Sequence, residues 1–136
     1  MRENPIVKME ARTKSMLSAR DEVLRRVGIW LKEKGFQRAG VGHYTQVSAN
    51  LVWNIGFQKM GSGYNVRVMC HVHNKDDISQ PMMGPWSDLY ECPNSPNGKK
   101  YVLRWNTGEA DIARCAKEYC DYINEVVIEW FRKYHP

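Results

Sequence analysis

From Ile112 to Tyr134 apolar residues return at three- and four-residue steps: Ile112, Cys115, Ala116, Tyr119, Ile123, Val126, Val127, Trp130, Phe131 and Tyr134. This is the period of one helical face and the strongest in the chain. A stripe so apolar needs a second apolar surface to lie on, because an isolated helix gains little stability without one. Charge agrees with the assignment. Glu109 and Asp111 sit where the helix dipole favours acids, and Arg132, Lys133 and His135 where it favours cations. Thr107 is the expected cap.

A second helix is expected near the N-terminus. Ser18 and Asp21 resemble a capping box, and Val23, Leu24, Val27, Trp30 and Leu31 follow at helical spacing. Gly35 suits the left-handed position that ends a helix, with Phe36 folding back on the last turn. Residues 1–15 show no clear period, so a loosely ordered arm is expected there and a single domain over 16–136.

The surface that receives both helices comes from the middle of the chain. His43 to Val47 and Leu51 to Met60 are rich in β-branched and aromatic residues and flank the polar Ser48-Ala49-Asn50. After Gly61-Ser62-Gly63, Tyr64 to His73 alternates cleanly. Trp53, Ile55 and Phe57 share one face of the second strand, and Tyr64, Val66, Val68, Cys70 and Val72 one face of the third, so these face the helices. Asn74 to Lys100 carries Pro81, Gly84, Pro85, Pro93, Pro96 and Gly98 and reads as a long connection, the place to look for function. Tyr101, Leu103 and Trp105 then alternate as a fourth strand. The fold class is α+β: an antiparallel sheet of about four strands with an N-terminal and a C-terminal helix packed on one face.

Composition places this fold in water. The 136 residues suit one domain, and 43% hydrophobic with 26% charged residues is ordinary globular usage. No apolar run reaches the roughly 18 residues that span a bilayer, and Met1-Arg2-Glu3-Asn4 does not open a secretory signal, so a cytoplasmic protein without a membrane partner is expected. Cys70, Cys92, Cys115 and Cys120 contain no C-x-x-C pair and read as reduced structural thiols. The net charge of +5, from 20 basic and 15 acidic residues, suits an acidic partner, although Glu10, Asp21, Glu22 and Glu33 are interspersed among the basic residues before Gly40.

Leu31-Lys32-Glu33-Lys34-Gly35-Phe36, Tyr44, Asn54-Ile55-Gly56-Phe57-Gln58-Lys59 and Tyr64-Asn65-Val66 resemble the bacterial domain-of-unknown-function family 4304 over roughly residues 16 to 134. The resemblance implies a small bacterial α+β protein and supplies no catalytic residues. Asn54 and Gln58 fit the pattern best; Pro81 to Gly98 does not fit it.

Opposite the core, the strands present Thr45, Asn54 and Gln58, then Asn65, Arg67, Met69, His71 and His73. Two readings of this polar face compete. It is either the ordinary solvated side of an antiparallel sheet or a shallow groove in which amides and Arg67 bond a polar partner, walled by the Pro81 to Trp86 loop. Trp86 and Tyr90 are the aromatic candidates on that loop. The candidate binding residues are therefore Asn54, Gln58, Arg67, His71, His73, Trp86 and Tyr90. No catalytic residue, metal or cofactor is assigned: there is no nucleophile elbow and no phosphate loop, and His71-Val72-His73 with Asp76 and Asp77 is a weak metal pattern. The leading expectation is a non-enzymatic cytosolic binding protein with a protein partner, of the accessory or immunity type found in bacterial defence and toxin systems. The alternatives are a nucleic-acid module using the basic helix and polar face, and a metal-dependent hydrolase centred on His71 and His73. An aromatic-rich edge would also support a homodimer.

Overall fold

The structure is a computed structural model that describes residues 4–61, 63, 65–87 and 101–136. The chain runs α1 (Pro5–Glu33), β1 (Gln37–Gly40), β2 (His43–Ser48), β3 (Leu51–Met60), β4 (Asn65–Asn74), β5 (Asp77–Met83), α2 (Glu109–Tyr122), a π-helical segment (Ile123–Ile128) and α3 (Glu129–Tyr134). The strands lie side by side in sequence order, each antiparallel to the next. This is the α+β class, with five strands where about four were expected.

α1 starts well before the Ser18–Asp21 signal. The Asn4 side chain accepts from the Ile6 N–H at 2.9 Å, and Pro5 takes the first turn, where its missing N–H costs nothing. Ser18 is therefore an interior helix residue, and much of the segment expected as a loose arm is helical. Its residues 4–15 are exposed, and burial begins at Ala19, then Val23, Val27, Gly28 and Leu31. The far end closes as expected: Gly35 has φ +93°, its N–H reaches the Lys32 carbonyl, and the Phe36 N–H reaches the Leu31 carbonyl.

The sheet buries Trp53, Ile55, Val66, Val68, Cys70 and Val72 on the helix side, as their alternation requires. Trp53 stacks on Phe131 with centroids 5.0 Å apart, and Phe57 meets Tyr119 edge-on. Two expectations are corrected. Tyr101 to Trp105 is not a strand, because side chains of α2 take up its backbone: Arg114 donates to the Val102 and Arg104 carbonyls, Glu118 accepts from the Val102 N–H, and Tyr119 lies 3.3 Å from the Leu103 carbonyl. Its alternation still aims Tyr101 and Trp105 into the core. Two sheet members were not expected: β1, which pairs with β2 at the other edge, and β5, which comes from the supposed loop and pairs with β4, with Gly84, Pro85 and Ser87 continuing beside it through Gly84 N–H to Cys70 O and Ser87 N–H to Val68 O, both 3.0 Å. Pro81 is tolerated in β5 because this strand is at the edge.

At the C-terminus the helix begins at Glu109, capped by Gly108 rather than Thr107. The π-helical segment then breaks the simple period. Tyr122 and Ile128 are buried although the stripe omitted them, and Tyr134, placed in the stripe, is 60% exposed.

Candidate binding face

The helices cover one side of the sheet. The other carries the polar row, and register places its members. Thr45, Asn54, His71 and Met83 lie opposite one another across β2 to β5, and one step along, His43, Gly56 and Met69 form a second row. At Gly56 no side chain rises, and a Cβ built there would meet only the Gly42 carbonyl at 4.0 Å. The face is thus lowest between His43 and Met69.

Asn54 was expected to offer its amide to a ligand, but it is 2% exposed. Its Nδ2 donates to the Val52 carbonyl at 3.1 Å, which turns Oδ1 toward His43 Nε2 at 2.8 Å. A carbonyl oxygen only accepts, so His43 Nε2 carries a proton and Nδ1 is left as the imidazole's other polar edge. Asn54 is therefore a positioning residue for His43. His43 was not among the sequence candidates, although the parity of β2, with Tyr44 turned to the core, places it on this face.

His43, His71 and His73 form a line of imidazoles with centroid separations of 6.4 and 6.0 Å. His73 Nδ1 donates to the Asn74 carbonyl at 2.8 Å, which leaves Nε2 as the ring's other polar edge. Burial, then the neighbouring His73 and His43, push the His71 pKa below its ordinary value. Of Asp76 and Asp77, the two carboxylates of the weak metal pattern, Asp77 accepts from the Ser79 N–H and hydroxyl at the start of β5. Among the described residues no group of three His, Cys, Asp or Glu is arranged to hold a metal ion.

About 13 Å along β4, at a strand rise near 3.3 Å per residue, the Arg67 guanidinium lies over the Trp86 ring, 5.9 Å from its centroid. Arg67 Nε is buried and, among the described residues, has no hydrogen-bond partner. Gln58 lies directly opposite Arg67 and is exposed. Trp86 is 48% exposed and is held by the segment beside β4, where Ser87 Oγ accepts from the Val68 N–H at 2.8 Å. Gln58, Arg67, His71, His73 and Trp86 thus come together on one region of the molecule, Asn54 lies beneath it, and Tyr90 falls outside the described residues.

Of the thiols, Cys70 and Cys115 are buried, Cys120 is half-buried, and Cys92 lies outside the described residues. Burial raises Cys70 and Cys115 to about 12 and Cys120 to about 11, and the Cys70 Sγ–H donates to the Pro85 carbonyl. What the outer face offers is a cation–π pair, a line of three imidazoles of which two are hydrogen-bonded within the protein, and a shallow floor.

No family model, curated protein or solved structure matches the chain.

Proposed function

We propose that this chain is a non-enzymatic cytosolic binding protein that recognises a protein partner through the outer face of its sheet. The observation that carries the reading is the Arg67–Trp86 pair on a face without a helix. A large indole stands nearly half in water beside the guanidinium of a half-buried arginine. Aromatic and arginine side chains of this kind supply most of the energy of protein interfaces. The imidazole line adds directional contacts at the other end of the same face.

The test begins with gentle purification from the protein's own host and native mass spectrometry of whatever is retained. Affinity for the retained protein is then measured for Arg67→Ala and Trp86→Ala. The expected result is a loss of about tenfold or more in each, with the fold intact by circular dichroism. Unchanged affinity in both variants would remove the outer face as the recognition surface. Retained nucleic acid, released steeply by salt, would replace the protein partner with a phosphate backbone.

A further inference from the structure

A second surface lies on the helix side of the sheet, at the β1 edge. There α1 leaves a groove of about 480 Å³ against β1, β2 and β3, within the roughly 300–1,000 Å³ usual for ligand sites. Its floor is apolar, with Leu24, Tyr44 and Phe57 at the base and the exposed Ile29 and Val41 at the mouth. Its rim is cationic on both walls: Arg25 and Lys32 stand on α1, and Arg38 and Lys59 on the strands. The one carboxylate of the lining, Asp21, is paired with Arg20 at 2.9 Å. Arg25 is paired with Glu22, whereas Lys32, Arg38 and Lys59 have no ion pair among the described residues.

We propose that this groove is a docking site for an acidic peptide segment that carries one large apolar side chain between carboxylates. Each half of the description answers one half of the groove. The floor removes an apolar anchor from water, and cations on two opposite walls flank it where acidic neighbours on either side of the anchor would lie. Nucleic acid fits less well. Its bases need an open aromatic face to stack on. Tyr44 is buried with its hydroxyl against Gly28, and Phe57 is held edge-on by Tyr44 at 6.1 Å and Tyr119 at 6.4 Å, which leaves aliphatic side chains at the mouth.

The experiment is selection of a random twelve-residue peptide display library on the whole chain. It is followed by amide NMR mapping of the best binder and affinity measurements on Lys32→Glu, Arg38→Glu and Lys59→Glu. All three side chains are exposed, so the charge reversals leave the core untouched. The expected result is enrichment of acidic peptides with a central aromatic or aliphatic residue and shifts around Leu24, Val41 and Phe57. Each reversal should weaken binding by about threefold or more, as loss of an exposed attraction and gain of a repulsion predict. Trp86→Ala, on the opposite side of the sheet, should leave this binding unchanged. Selection without acidic enrichment, shifts confined to another surface, or affinity indifferent to all three reversals would overturn the proposal. So would a single-stranded oligonucleotide that binds the groove more tightly than the selected peptide.

Discussion

Asn54 illustrates how far residue-level reasoning reaches. Alternation along β3 correctly turns it away from Trp53 and Ile55, but parity gives the side of a sheet and not the depth. Depth depends on what stands on the neighbouring strands, here His43, eleven residues earlier and one strand over. Its amide consequently serves the protein and not a ligand. His71 carries a consequence that solution measurement can reach. Its folded pKa lies below the usual 6.5 because burial and two adjacent imidazoles disfavour the cation. The unfolded chain therefore binds a proton at higher pH than the folded one, so His71 favours the fold above pH 6.5, and this contribution is lost as pH falls from there through the folded value. An NMR titration of the imidazole protons should give His71 a midpoint below 6.5, and His71→Ala should flatten the decline of stability below that pH. A midpoint at or above 6.5 would contradict the packing described for the imidazole line.

Among the elements, the buried half of α1, most of the C-terminal helix and the β2–β4 core were legible because each follows a strong period. Tyr101 to Trp105 was misread because alternation reports which side chains are buried, not whether the backbone pairs with a strand; here α2 side chains meet it instead. β5 was missed for the opposite reason. Pro81 and the glycines around it signal a break, yet an edge strand has one row of backbone groups that need no partner. The contact between α1 and β2 rests on Gly28, where a Cβ would collide with the Tyr44 hydroxyl. Gly28→Ala gains about 1 kcal/mol of intrinsic helix propensity but meets overpacking that typically costs about 1–3 kcal/mol. Net destabilisation is expected in urea unfolding. Because the clash is with an oxygen, Tyr44→Phe in the Gly28→Ala background should recover a measurable part of the loss. A double variant no more stable than Gly28→Ala alone would place the strain elsewhere.

Across the whole molecule, long-range ties join parts that the sequence keeps far apart. The Trp105 indole donates to the Met16 carbonyl, and the Trp53 indole to the carbonyl of His135. The two helices are also joined by charge. Glu22 bonds Arg25 and Arg26, and Arg26 reaches Glu109 at 2.7 Å. The hydrogen bonds from Arg25 and Arg26 lower the Glu22 pKa from 4.5 to about 2. Its contribution to stability is thus present above pH 4.5 and is lost as pH falls through about 2. The whole chain should lose stability over that interval, and Glu22→Gln should remove part of the acid slope while leaving the slope near neutrality unchanged. An identical acid slope in the variant would show the pairing to be inconsequential. The outer face was legible as a face but not as a site, since its arrangement depends on β5 and the 84–87 segment, which appear only when the sheet is assembled. The π-helical segment sets the phase of the helix beyond it. Accommodating an extra residue in one turn rotates everything beyond it by about 100° relative to an uninterrupted α-helix. In an uninterrupted α-helix the twelve residues from Tyr119 to Phe131 would leave their side chains roughly 120° apart, so the extra residue returns them to one side, where Tyr119 bonds the Val66 carbonyl of β4 and Phe131 stacks on Trp53 of β3, and a single helix face follows the sheet along its length.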